Sequence, residues 1–441
     1  MDLSESLSNE HSVDQSVDQN VDQTGDQPGD QVVPIRGAAP LAGIRVVEIT
    51  SIYSGPLAGV LLAELGADVI KVESHDRPDL IRNSTQGPHG LSTVFYALNR
   101  GKRFVSINGS TSEGRAVLED LVCGADVFLH NMRPGKPDGI GLNYDELAKR
   151  NPRLIYAAIS GLGTEGPDMN QPVYDYVIQA RIGMVDYQRN ITTGRASLIS
   201  QVLVDKTTAQ ATVQGILAAL YVRERTGLGQ RVDVPMLGAG LHFQWSDAMG
   251  PRFTEVNPAV DPKAIPSHFI QLPSAALLVI QGSDGGEIAC SPALPPWDGF
   301  AIALDRPEWI VDERFIDAAK RAVFLPDLLG EINEAAAMFT ADDLLARFQE
   351  NGVASGPVQR RWDVHNDRQI KALDLIVERE VEGLGTLRQP RPMWHFSESK
   401  ALVTSSMGRT GEHTFEVLRE AGLSEETIAG LLASGAIAVP A

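Results

Sequence analysis

Between residues 41 and 160 the chain alternates short apolar runs with helical patterns, and this rhythm limits the fold more than any other feature. IRVVEIT (44–50), ADVIKVE (67–73), FVSIN (104–108), ADVFLHN (125–131) and LIYAAIS (154–160) read as strands. Their near-continuous apolar character suits strands covered on both faces. PLAGVLLAELG (56–66) reads as a helix with proline at its first position. Ser110, with Glu113 three residues on, predicts a capping box that opens the next helix. Such alternation implies a parallel sheet with helices on both faces and ligands at the carboxyl ends of its strands.

The segment from Gln201 to Met236 holds the most chemistry. Val202, Leu203 and Val204 deliver a single acid, Asp205, to the first turn of a long helix whose apolar residues (Val213, Ile216, Leu217, Leu220) recur at helical spacing. The helix is predicted to stop at Gly227 and pass to a strand, RVDVPM. A lone acid there sits among unpaired N–H groups at the positive end of the macrodipole, so it is expected to stay ionised at neutral pH. Two readings follow: Asp205 is a helix N-cap, for which Asp is a preferred residue, or it is a nucleophile for covalent acyl transfer.

Beyond residue 240 the texture changes. MGPRFTEVNPAVDPKAIPSHF (249–269) holds four prolines and little periodicity, so it reads as a linker. AALLVIQ, GSDGG and EIAC (275–290) read as a β-hairpin, and helical patterns dominate from there to about residue 375. At the other end, residues 12–31 are five successive tetrapeptides, SVDQ, SVDQ, NVDQ, TGDQ and PGDQ. Their apolar content is too small to offset the entropy of ordering, so residues 1–40 are expected to be a disordered tail.

Charge and cysteine usage exclude several classes. Of the net charge of −19, about −7 lies in residues 1–38, which hold eight acids and one Arg. The rest is still acidic, which argues against nucleic acid or an acidic membrane surface as partner. Cys123 and Cys290 are the two cysteines, with no CxxC pattern, so neither a disulfide framework nor a thiolate metal site is indicated. No apolar run approaches a membrane span, and the acidic start MDLSESLSNE is unlike a signal peptide, so the cytoplasm is the default location. GLGTEG (161–166) matches a dinucleotide fingerprint in letters, but Pro167 and Pro172 follow where the phosphate-binding helix belongs. A nicotinamide or flavin site is therefore not expected.

The order VYD (173–175), Asp205 thirty-one residues after Tyr174, GILAAL and RERTGLGQRVDVPM resembles the class III CoA-transferase family. The resemblance extends to VVEITSIYSGPLAGVLLAELGADVIKVES (46–74), NRGKRFVSIN (99–108), ADVFLHNMRPG (125–135), GVASGPV (352–358) and GEHTFEVLREAGLSEETI (411–428). It implies a Rossmann-like α/β large domain over 41–240, a linker and small α+β domain over 241–389, and a C-terminal segment, 390–441, that returns to the large domain. It further implies an interlocked homodimer, acyl-CoA and carboxylic acids as substrates, and no tightly bound cofactor.

By the same resemblance Asp205 is the nucleophile that carries an acyl anhydride and then a CoA thioester. Ile52, Tyr53, His75, Ile107, Asn131, Met132, Arg133, Tyr174, Asp175 and Met236 match positions along the CoA path. The usual Arg is absent at Gly139, and a Lys sometimes found at Pro172 is absent. Arg133, Lys102 or Arg103 are then the candidates for holding the phosphates. The family's glycine-rich shielding loop is not apparent, since GSDGG (282–286) is more simply a turn. Two alternatives stay open. An α-methylacyl-CoA racemase needs a second base, where this chain has Tyr174, a poor base at neutral pH. A non-catalytic acyl-CoA binder would have no use for Asp205.

Overall fold

The computed structural model describes residues 37–84, 92–190, 193–246, 249, 277–292, 296–381, 385–404 and 406–440. The tail through residue 36, residues 250–269 of the expected linker and the first two residues of the expected hairpin, 275–276, lie outside the described residues. Strands β1 (Arg45–Ile49), β2 (Asp68–Glu73), β3 (Arg103–Ile107), β4 (Val127–His130), β5 (Ile155–Ser160) and β6 (Arg231–Pro235) form one parallel sheet. Their order is β3-β2-β1-β4-β5-β6. It is the Rossmann order, and it reverses direction between β1 and β4, the switch point at which such sheets form their ligand crevice.

Helix α1 (Ser54–Glu64) follows β1, α2 (Thr93–Asn99) precedes β3, and α3 (Ser112–Cys123) and α4 (Tyr144–Arg150) flank β4. After β5 come α5 (Asp175–Arg181), α6 (Met184–Tyr187) and the long α7 (Leu203–Thr226), then α8 (Met236–Gln244) after β6. Successive strand residues point to opposite faces. Val46, Val69, Ile155 and Ala157 pack with α1 and α7, whereas Val47, Ile70, Phe128 and Tyr156 face the side of α3 and α4. Gly227 closes α7 at φ +75°, a left-handed C-cap that suits glycine.

Two helix starts differ from the sequence expectation. Pro56 is the third residue of α1, because the helix begins at Ser54. Thr111, not Ser110, caps α3: its hydroxyl accepts from the Gly114 N–H at 3.0 Å. The Ser110 N–H is bound to the Asn108 side chain at 3.0 Å, which holds that residue in the preceding turn, and Glu113 instead accepts from the Ser112 hydroxyl.

A separate antiparallel sheet comprises β7 (Leu278–Gln281), β8 (Glu287–Cys290) and β9 (Ser355–Pro357). Gly285, at φ +80°, makes the GSDGG segment a hairpin turn. Helices Trp297–Ala303, Leu325–Ala336 and Ala341–Glu350 pack there around their own core of Phe300, Trp309, Phe315, Ile332 and Phe348. A two-stranded ribbon, β10 (Ile376–Val381) with β11 (Gly385–Pro390), follows. The chain then returns to the large sheet: β12 (Ile437–Ala438) pairs antiparallel with β3, and Val417, Leu418, Ile428 and Leu431 join its core.

Candidate active site

Asp205 is the third residue of α7 and is 8% exposed. It is not the N-cap: Val202 holds that position and offers no side-chain cap. The Asp205 N–H instead donates to Asp175 Oδ2 at 3.0 Å, from the start of α5. Asp175 is itself 4% exposed, and its other oxygen accepts from Gln179 Nε2. Gln179 in turn bonds the Ile199 and Gln201 carbonyls and the Ile199 N–H, which ties down the segment that leads into α7. Asp175 therefore faces inward and ties the start of α7, directly beside Asp205.

The N-terminus of α1 approaches the Asp205 carboxylate, and hydrogen bonding by Ser54 lowers its pKa. Two helix N-termini thus converge on one buried acid. Asp205 is not the lone, fully ionised acid that the sequence suggests. Burial and the nearby Asp175 charge raise its pKa to about 6, against the lowering by Ser54. It is largely ionised at neutral pH and protonates under mild acid. Tyr53 lies beside it, with its own pKa raised by burial and by the Asp205 charge.

The loop that carries Tyr53 and Ser54 is gripped residue by residue. The Thr50 carbonyl accepts from Lys71 Nζ at 2.8 Å. Asn131 bonds both the N–H and the carbonyl of Ser51, at 3.0 and 2.8 Å, across the β1–β4 crevice. The Ile52 N–H donates to Asp79 Oδ1 at 3.1 Å, and Ile52 stands at φ +71°, a left-handed conformation that a β-branched side chain resists. Behind this loop lies a fully buried ionic cluster. Glu48 Oε1 accepts from Lys102 at 2.7 Å and Lys71 at 3.4 Å, and Lys71 pairs with Asp79 at 3.2 Å.

The remaining sequence candidates divide. Ile52, Tyr53, Asn131, Met132 and Arg133 gather around the β1–β4 crevice, with Arg133 exposed. His75 is exposed just after β2, and Tyr174 is half exposed and stacked on Tyr176, their rings 6.2 Å apart. Met236 is buried at the start of α8. A cleft of about 450 Å³ opens beside Met132, lined also by Tyr144, Ser160, Met169 and Asn170.

Three further candidates are engaged within the protein. Lys102 is 1% exposed, surrounded by Glu48, Asn99 and the Pro56 and Leu98 carbonyls; burial pushes its pKa down to about 7, against the pull of Glu48. It is a core lysine and cannot reach a phosphate in solvent. Arg103 is occupied by Asp68 of β2 and by Glu416 and Glu420 of the helix Thr414–Glu420. Ile107 is 3% exposed and paired with Ile437 in the sheet.

Sequence reasoning missed Ser54, Asp79 and Gln179. Ser54 had a signal, a serine directly before a helical run in the first βα turn. Asp79 and Gln179 had none, because the backbone groups they fix, Ile52 and the Ile199–Gln201 segment, lie 20 or more residues away.

Comparison with known proteins places this geometry. The model of CoA-transferase family III matches residues 41–414. A probable fatty acyl-CoA transferase of Mycobacterium tuberculosis is 31% identical over 85% of this chain and 96% of its own length. A formyl-CoA:oxalate CoA-transferase of Streptomyces coelicolor is 30% identical over 91% of this chain and all 100% of its own. A crystal structure of the mycobacterial protein superposes with a TM-score of 0.72 at 29% identity, covering 86% of this chain and 99% of that one.

Proposed function

The chain belongs to CoA-transferase family III, and from that premise we propose that it moves CoA between carboxylic acids through covalent intermediates on Asp205. The observation that carries the reading is a buried carboxylate held between two helix N-termini at the edge of the β1–β4 crevice. One Asp205 oxygen attacks the thioester carbonyl of an acyl-CoA and expels the CoA thiolate, giving a mixed anhydride. The thiolate attacks the aspartyl carbonyl, releases the donor carboxylate and leaves an aspartyl–CoA thioester. An acceptor carboxylate then attacks that thioester and displaces CoA again. The thiolate finally takes the acceptor acyl group and returns Asp205 to its carboxylate. No water enters, so thioester energy passes on without ATP.

Ser54 donors and the α7 terminus are placed to stabilise negative charge that develops on the aspartyl carbonyl. CoA would lie along Ile52, Tyr53, Asn131, Met132 and Arg133, with Tyr174 at the thioester end and His75 toward the adenine. The subunits are taken to associate as an interlocked homodimer, which light scattering tests.

Racemisation finds less support. Where the second base belongs this chain has Tyr174, and an ordinary tyrosine is a poor base at neutral pH. In deuterated water a 2-methylacyl-CoA should therefore gain little label at Cα. The decisive experiment screens acyl-CoA donors against carboxylic acids and traps the enzyme thioester with hydroxylamine. Asp205→Asn should abolish both transfer and trapping while the protein stays folded; a folded Asn variant that still transfers CoA overturns the proposal.

A further inference from the structure

We propose that Asp79 is a positioning residue for the reaction: by accepting the Ile52 N–H it holds the first βα loop in a left-handed turn that sets Ser54 against Asp205. The inference rests on the reading of Asp205 as the reacting carboxylate and adds a residue that touches no substrate.

Ile52 is one of three non-glycine residues with positive φ among the described residues, and it is the one that lies beside the nucleophile. A β-branched residue holds φ +71° only where its surroundings over-determine it. Asp79 supplies that determination at 3.1 Å. Its own place is fixed from behind, because Lys71 pairs with its second oxygen at 3.2 Å and Glu73 accepts its N–H at 3.0 Å. Glu73 is locked by Arg82, whose guanidinium stacks over Phe95, 4.0 Å from the ring centroid. The chain of contacts thus runs from the core beneath β2 to the backbone just ahead of α1.

The turn at Ile52 decides where Tyr53 and Ser54 go. If Ile52 relaxed to negative φ, the path into α1 would swing and Ser54 would leave Asp205. Ser54 supplies the interactions that favour the ionised carboxylate, set against burial and Asp175. The titratable groups that face Asp205 are Asp175 from α5 and Tyr53 ahead of α1. Withdrawal of Ser54 therefore moves the protonation of Asp205 toward higher pH, an effect that general loss of stability does not produce.

The test uses the full chain and reads the pH profile of kcat/KM for transfer, with hydroxylamine trapping as a second measure. Asp79→Ala should lower kcat roughly tenfold or more and shift the acid limb to higher pH. Asp79→Asn keeps an acceptor for the Ile52 N–H and should restore most of both. Glycine takes positive φ freely, so in an Ile52→Gly background the further loss of Asp79 should cost less than about threefold. Should Asp79→Ala fail to fold, Ile52→Pro disrupts the same turn while the buried cluster stays intact, since proline is held near φ −65°; it should reproduce the shift. An unmoved acid limb in both Asp79→Ala and Ile52→Pro, or full additivity of the Asp79 and Ile52→Gly effects, overturns the proposal. An active Asp205→Asn enzyme would instead remove the reading beneath it.

Discussion

The Asp205 N–H donates to Asp175 Oδ2 at 3.0 Å, so the acid that raises the pKa of the proposed nucleophile also closes the end of its helix. One side chain performs two tasks that pull in opposite directions. As an acceptor it fixes the backbone of Asp205; as a charge it disfavours the ionised form that attack requires.

These tasks can be separated. Asp175→Asn keeps an oxygen for the Asp205 N–H but removes the charge. The pKa of Asp205 should fall, and the acid limb of the kcat/KM profile should move to lower pH with the fold preserved. A profile identical to that of the wild type would show that Asp175 exerts no field on the site.

Stability should carry the same signature. The Asp205 pKa is raised from 3.8 unfolded to about 6 folded. Between these values the native state binds a proton that the unfolded state has released, so stability rises as pH falls through that window. Above it, the native state bears the full cost of a buried charge, on the order of 3 kcal/mol for about two pH units. Asp205→Asn should therefore melt higher than the wild type at pH 8, with the gap closing toward pH 4. Thermal melts across that range would show it.

Gly59 lies in α1 directly over the ionic cluster. A Cβ added there would come 1.8 Å from Glu48 Oε2 and 2.9 Å from Lys102 Nζ. Gly59→Ala must displace either the helix or a buried carboxylate with its two lysines, and should cost at least about 3 kcal/mol. Chemical denaturation would measure this, and a variant as stable as the wild type would mean that α1 does not seat this closely.

The basic residues should differ in their effect on CoA. Arg133→Ala should raise the KM for acyl-CoA roughly fivefold, about 1 kcal/mol for an exposed charge on a phosphate. Arg103→Ala should leave that KM unchanged and instead loosen the helix Thr414–Glu420, because its guanidinium is held by Asp68, Glu416 and Glu420. Steady-state kinetics with one acyl-CoA at saturating acceptor would distinguish them.

Local rules in the sequence determined the elements of this protein. Apolar runs marked β1 to β6, spacing marked α7, and Gly227 marked its end, because period and punctuation act between neighbours in the chain. The order of motifs identified the family and singled out Asp205. Only the tertiary structure decided what each charged residue does. Lys102 and Arg103 are adjacent and read alike, yet one is sealed beneath α1 and the other clamps a helix more than 300 positions away. The pKa of Asp205 likewise depends on Asp175 and Ser54, 30 and 151 residues distant. Burial and charge pairing are properties of distance in space, and one-dimensional order does not contain that distance until the sheet and helices have brought the residues together.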